Sequence, residues 1–289
     1  MLSNDLYTNM ILYEIDNPVR GTVIKRPSLY CKTPYVADVK IENGEDIMGH
    51  SPSLGCGGLA DSGADVIMSK MTGNKTKTSH RIELSIQREG CNETIVGVNP
   101  KLGETIAERA LKNNCIHGLE NILSYARETT IMTSRFDFTG IDEHGVPFIM
   151  EVKNVPLADY VDVPKKEKKK ALADLGNKEY DKKIAYFPDG YRKNATDVVS
   201  PRALKHIQEL EYISKSSITR TILCFIVQRS DAVRFQPSNI DLTYKKAVQK
   251  AWENGVEIKT IQVEWTREGK CKFMRNDLPI HLVDESGPI

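Results

Sequence analysis

Two short β-type runs bracket one glycine-containing loop near the middle of this chain: Ser134-Arg135-Phe136-Asp137-Phe138, the loop Asp142-Glu143-His144-Gly145-Val146, and Phe148-Ile149-Met150-Glu151-Val152-Lys153. The pattern predicts a β-hairpin in which Gly145 takes the positive φ of a three-residue turn. Side chains alternate along a strand and advance by about 3.3 Å, so Glu151 and Lys153 share a face about 6.6 Å apart while Val152 points away. Pairing about the loop sets Asp137 nearly opposite Glu151, with Cβ atoms on the order of 5 Å apart. A divalent cation could sit between them. Exposed Glu-x-Lys strands are common, and a cross-strand charge pair contributes only about 0.2–1 kcal/mol. Here the preceding Phe148-Ile149-Met150 is apolar throughout, as in a strand covered on both faces. Charges emerging from such a strand are costly unless paired or metal-bound. A functional site is the better reading.

These residues resemble the signature of the sugar fermentation stimulation protein A family, whose C-terminal domain is similar to PD-(D/E)XK nucleases. Further matching stretches are Val98-Asn99, Phe187-Pro188-Asp189-Gly190, Ala203-Leu204-Lys205-His206, Phe225-Ile226-Val227-Gln228-Arg229-Ser230-Asp231 with Arg234-Phe235, and Ala251 to Ile258. They run in order from near Ile24 to about Val263. One loop departs from the bacterial pattern: His50-Ser51-Pro52-Ser53-Leu54-Gly55-Cys56-Gly57-Gly58 replaces a Pro-Asn-Thr-Gly-Arg stretch, with Cys56 at the arginine position. Turn chemistry is kept there and a cation is lost. The loop looks closer to the form of eukaryotic relatives.

Composition narrows the classes. A chain of 289 residues buries a substantial core, with no apolar run approaching the roughly 20 residues of a membrane span. No basic-then-apolar leader opens the chain, so an intracellular, cytoplasmic protein is expected. Cysteines at 31, 56, 91, 115, 224 and 271 lack Cys-x-x-Cys spacing, which disfavours zinc and suggests reduced core thiols. Forty basic against thirty-nine acidic residues leave a net charge of +1, so nucleic-acid contact would rest on local patches.

Along the chain, strand patterns at Arg20–Arg26, Tyr35–Ile41, Asp46–Met48, Ala64–Ser69 and Arg81–Gln87, with Asn43-Gly44 as a two-residue hairpin signal, fit a five-stranded OB-fold-like barrel over residues 1–93. From Gly97 onward helices and strands alternate, which predicts an α/β (α+β) domain over residues 94–289, of the PD-(D/E)XK nuclease-like class by resemblance. Its expected elements are a helix at Glu104–Lys112, the hairpin, a helix opened by Ser200-Pro201, a buried strand at Thr221–Gln228, a helix at Leu242–Asn254 closed by Gly255, a last strand at Val256–Trp265, and a loose tail at Asp284–Ile289. A lysine-rich insertion at about 164–183 reads as a solvated loop or helix, or as a phosphate-contacting segment beside the site; a nuclear address in Pro164–Lys170 is a weaker reading.

Hydrolysis of a phosphodiester needs extra negative charge stabilised and hydroxide generated near neutral pH, both of which Mg²⁺ or Mn²⁺ supplies from a shell with one or two carboxylates. Asp137 and Glu151 are the expected ligands, and Lys153 orients water or meets the developing charge. The resemblance implies the Val152 carbonyl as a further ligand, Glu108 as a direct or water-mediated one, and Gln228 as a group positioning water or phosphate. Arg135 beside Asp137 is read as a phosphate contact in preference to an ion pair with that acid. Lys25, Arg26 and Tyr35 of the barrel, with Lys205 on its helix, complete the expected contacts to DNA or RNA; Lys205 and His206 also suit a solvent-facing helix surface. The chain then reads as a metal-dependent nuclease. A catalytically idle nucleic-acid-binding regulator on the same scaffold is the alternative, and an oligosaccharide-binding barrel a third. Homodimer formation is left open.

Overall fold

The computed structural model describes residues 10–53, 57–71, 77–176, 179–188, 190 and 197–282. In chain order the elements are β1 (Ile11–Glu14), β2 (Val19–Lys25), β3 (Val36–Ile41), β4 (Asp46–His50), β5 (Asp65–Lys70), β6 (His80–Glu89), β7 (Asn92–Gly97), α1 (Pro100–Lys112), β8 (Ser124–Ile131), β9 (Ser134–Ile141) and β10 (Pro147–Val155). They continue with β11 (Ala158–Asp159), α2 (Lys165–Asp174), β12 (Lys183–Phe187), α3 (Pro201–Ser216), β13 (Arg220–Val227), β14 (Ala232–Pro237), α4 (Leu242–Glu253), β15 (Glu257–Trp265) and β16 (Lys270–Arg275). Among the described residues no helix is long and apolar enough to cross a membrane.

Strands β2 to β6 form the ring read from the sequence. β2 pairs with β3 and β5, β3 with β4, and β5 with β6, and a two-residue parallel contact of Gly49 and His50 with His80 and Arg81 brings β4 back to β6. This is the connectivity of a partly open OB-type barrel. The Asn43-Gly44 turn has three residues rather than two: the Ile41 N–H donates to Glu45 O at 2.9 Å, and Gly44 carries φ +89°. β7 adds a sixth strand to the barrel sheet as far as Gly97, so that sheet runs past residue 93, while β1 pairs with β16 in the other large sheet.

That second sheet has the order β1-β16-β15-β13-β10-β9-β8, with β10, β13 and β15 parallel. β15 is therefore not the last strand; Gly269 turns the chain into β16, which pairs back with it. α1 covers one face through Leu102, Ile106, Ala107, Ala110 and Leu111, packed on Phe138, Phe148, Met150 and Val152. Barrel residues Ile67, Leu84, Ile86 and Ile95 share that core, which fastens the barrel to the α/β sheet. α3 and α4 cover the other face through Ala203, Ile207, Leu210, Tyr244 and Val248, against Phe136, Ile149, Leu223 and Phe225. The fold class is the one expected at the level of architecture: an OB-like sheet followed by a mixed α/β domain.

The helix starts are locally encoded. The Asn99 side chain accepts the Lys101 N–H at 3.1 Å ahead of Pro100, so α1 begins a turn earlier than its apolar stripe suggests. Ser200 accepts the Ala203 N–H at 3.3 Å ahead of Pro201, as read from the sequence. α2 buries none of its residues, in keeping with a solvated lysine run. Lys183 differs from that run: it is 8 % exposed and paired with Asp231 at 2.8 Å and Glu89 at 2.9 Å. Leu54, Gly55 and Cys56 of the departing loop, Lys178 of the insertion, Asp189 and the Asp284–Ile289 tail lie outside the described residues.

Candidate metal and phosphate site

The β9–β10 hairpin turns as its sequence requires. Gly145 has φ +79°, the Asp142 N–H donates to Val146 O at 2.9 Å, and the Asp142 carboxylate accepts the N–H groups of His144 and Val146. Backbone pairing proceeds from Pro147↔Ile141 to Met150↔Phe138 and then stops. At the next position the Asp137 Oδ2 accepts the Val152 N–H at 2.7 Å, so a side chain replaces the missing ladder carbonyl. Regular alternation would put Phe136 and Phe138 on one face. They enter different cores instead, Phe138 beneath α1 and Phe136 beneath α3, so β9 turns over at Asp137 and carries that carboxylate across the edge of β10.

Glu151 is 3 % exposed. Its Oε1 receives both the Lys153 Nζ, at 2.5 Å, and the His206 Nδ1 from α3, while its Oε2 has no partner. Burial would raise this carboxyl, but Lys153 and His206 outweigh it and hold Glu151 below the usual carboxylate range. Burial, then the Glu151 charge, pushes Asp137 up to about 7, against the Val152 N–H and Lys153. Two neighbouring carboxyls driven apart in this way mark a site short of positive charge.

Both acids line a cleft of about 600 Å³ with Val152, Lys153, Asn154, Glu104, Pro100, Ser53, Tyr186, Phe187, Pro188 and Arg202. Glu104 also raises Asp137. A larger cavity of about 760 Å³ shares Leu157, Tyr186 and Gly190 with this cleft and carries Lys165 and Lys168 of α2 on its wall.

The donors fit a hard divalent cation. The bare Oε2 of a buried carboxylate, next to an acid lifted to about 7 by burial and by that carboxylate's charge, is the chemistry such an ion satisfies. Among the described residues no group of three or more His, Cys, Asp or Glu side chains is arranged to hold a metal alone.

Asp137, Glu151, Val152 and Lys153 are thus brought together. The other expected residues are not. Glu108 faces away from the cleft, accepting from Tyr125 Oη at 2.8 Å and Arg127 Nη1 at 2.8 Å and pairing with Lys112 at 3.2 Å; Glu104, one turn earlier, lines the cleft in its stead. Gln228 is fully buried and its amide is committed, donating to Asn154 Oδ1 and accepting from Trp265 Nε1 at 3.0 Å. Arg135 pairs with Glu128 at 3.3 Å, not with Asp137. Lys205 donates to Thr133 O at 2.7 Å.

On the barrel, Arg26 is spent on loop carbonyls, donating to Pro34 O and Ser53 O at 2.8 Å each. Lys25 is exposed at the end of β2, and Tyr35 is exposed and stacked on His50 with centroids 6.4 Å apart. His206 does not face solvent: it is 3 % exposed, with Phe136 and Glu151 against its ring. Sequence reasoning missed Glu104 and the contact of His206. The signals were present, in the Asn99-Pro100 start that resets the register of α1, and in the apolar spacing Ala203, Ile207, Leu210 that puts His206 on the buried stripe.

A family profile for the sugar fermentation stimulation protein RE domain matches residues 101–269. The sugar fermentation stimulation protein homologue of Geobacter sp. (strain M21) is 30 % identical over 251 residues, covering 86 % of this chain and 91 % of its own length. The homologue of Clostridium novyi (strain NT) is 28 % identical over 247 residues, covering 85 % and 90 %. Among solved structures, that of Pyrococcus furiosus SfsA in complex with Ca²⁺ superposes with a TM-score of 0.71 at 19 % identity, over 94 % of this chain and 99 % of the other.

Proposed function

The chain belongs to the sugar fermentation stimulation protein family, and from that premise we propose that it is a divalent-metal-dependent nuclease hydrolysing phosphodiester bonds of DNA or RNA. One observation carries the reading: the unpartnered, buried Oε2 of Glu151 beside the Asp137 carboxyl in an open cleft. Asp137 and Glu151 would hold Mg²⁺ or Mn²⁺, and the Ca²⁺ of the Pyrococcus furiosus structure is a hard cation of the same class. When bound, the ion neutralises phosphate charge and acidifies a water. The chain's own residues do the rest. Lys153 and His206 occupy Oε1 of Glu151 and so leave Oε2 for the ion. The Lys153 ammonium, beside the carboxylates, stabilises charge that develops on the phosphoryl oxygens. Glu104, reached from α1, accepts a proton or orients water at the cleft wall. The barrel presents Lys25 and Tyr35 to a nucleic-acid strand, and the lysines of α2 flank the adjoining cavity.

The test is a panel of single- and double-stranded DNA and RNA incubated with purified protein and Mg²⁺ or Mn²⁺. Cleavage lost in Asp137→Ala and Lys153→Ala supports the assignment; no cleavage of any substrate, or variants as fast as the parent, overturns it. An idle scaffold would also show no divalent-cation heat depending on Asp137 and Glu151 in calorimetry.

A further inference from the structure

We propose that Arg202 is a second anion subsite in this cleft, holding a phosphate adjacent to the one attacked. The substrate is then a polynucleotide strand and not an isolated phosphodiester. The inference rests on the nuclease reading and names the substrate class of that site.

The charges in the cleft point to this residue. Three acids, Glu104, Asp137 and Glu151, line it with two cations, Lys153 and Arg202. Lys153 is taken by Glu151 at 2.5 Å. Arg202 is exposed, and among the described residues no side chain pairs with it, although three carboxylates line the same cleft. Its place follows from α3. His206 touches Glu151, and Arg202 lies on the same helix four residues earlier, one turn and about 6 Å along the axis towards the N-terminus. Arg202 thus lines the cleft one helical turn from the residue that touches Glu151, and among the described residues no acid is paired with it.

A fixed planar fork of donors suits two phosphate oxygens, and its charge does not titrate near neutral pH. A strand crossing the cleft would meet the carboxylate pair with one phosphate and Arg202 with the next.

Arg202→Ala and Arg202→Lys change an exposed side chain that makes no contact needed for folding, which a thermal melt verifies. Two probes separate the roles: bis(p-nitrophenyl) phosphate, with a single phosphodiester, and a fluorescein-labelled oligothymidylate of about 16 nucleotides, the upper end of OB-fold site sizes. In Arg202→Ala the oligonucleotide KM should rise roughly 10–100-fold, the loss expected for a charge-assisted hydrogen bond, with a smaller change in kcat. The effect on kcat/KM for the small diester should be much weaker, and lysine should restore only part of the oligonucleotide affinity. Equal losses on both probes would put Arg202 at the attacked phosphate, and an unchanged oligonucleotide KM would remove it from binding altogether; either overturns the proposal. If the parent cuts neither probe, the nuclease reading fails on its own. Fluorescence anisotropy of the oligonucleotide in Ca²⁺ then still reads the subsite: a log–log salt slope shallower by about 0.7 in Arg202→Ala supports it, and identical slopes and affinities refute it.

Discussion

His206 and Glu151, 55 positions apart in the chain, meet through the imidazole Nδ1 and the carboxylate Oε1 in the buried layer between α3 and β10. The contact leaves the second carboxylate oxygen without a partner. His206 is therefore a positioning residue for the proposed metal ligand, acting through Glu151.

Substituting His206 tests that role. His206→Ala should weaken Mn²⁺ binding about 10–100-fold by calorimetry, as losing an outer support of a metal ligand does, with a fall in turnover that excess metal partly restores. His206→Asn, which keeps a donor near the Nδ1 position, should recover much of the metal affinity. Unaltered metal affinity in both variants would reduce His206 to a packing residue.

Lys153 separates chemistry from folding. Lys153→Met retains the aliphatic stem and leaves His206 on Glu151, so the hairpin stays folded and metal affinity holds or improves with a nearby positive charge removed. Turnover should drop by roughly two to four orders of magnitude. A melting temperature lowered as in a core mutant, with activity per folded molecule preserved, would make the lysine a structural ion-pair partner only.

The raised Asp137 carboxyl has a defined sign in stability. Its folded pKa is lifted from 3.8 to about 7 by burial and by Glu151, so the native state keeps this proton longer than the unfolded chain. Its contribution is fully present below 3.8 and is lost as pH rises towards about 7. Asp137→Asn should therefore flatten the pH dependence of stability of the metal-free protein across that window and gain most, relative to the parent, near neutral pH. Metal binding to the parent should release a proton below about 7, read as a buffer-dependent heat. A variant whose melting curve tracks the parent at every pH would contradict the shift.

The two acids of α1 should part company. Glu104→Gln should lower turnover about tenfold or more with little change in melting temperature. Glu108→Gln weakens the contacts to Tyr125 and Arg127 and should cost about 1–3 kcal/mol of stability in denaturant titration, with activity per folded molecule kept. The reverse pattern would return Glu108 to the site.

The hairpin, its Gly145 turn, the gathering of Asp137 and Glu151 at one cleft, the five barrel strands and the proline-opened start of α3 were all legible in the sequence. Each depends on alternation, capping or turn chemistry among residues a few positions apart, and such preferences act before the chain has a tertiary structure. The shift from Glu108 to Glu104 was only half legible: the Asn99-Pro100 cap was visible, but the cations that claim Glu108 come from β8 and from the end of α1.

What tertiary structure alone decided is which polar groups were already spent. Arg26 carries the charge of a nucleic-acid contact and Gln228 the amide of a water-positioning group, yet loop carbonyls claim the first and Asn154 with Trp265 the second. The turning-over of β9 at Asp137 and the landing of His206 on Glu151 are likewise set by two cores on opposite faces of one sheet. A buried polar group must find a partner wherever packing leaves it, and that partner is chosen by contacts between distant segments, not by neighbours along the chain.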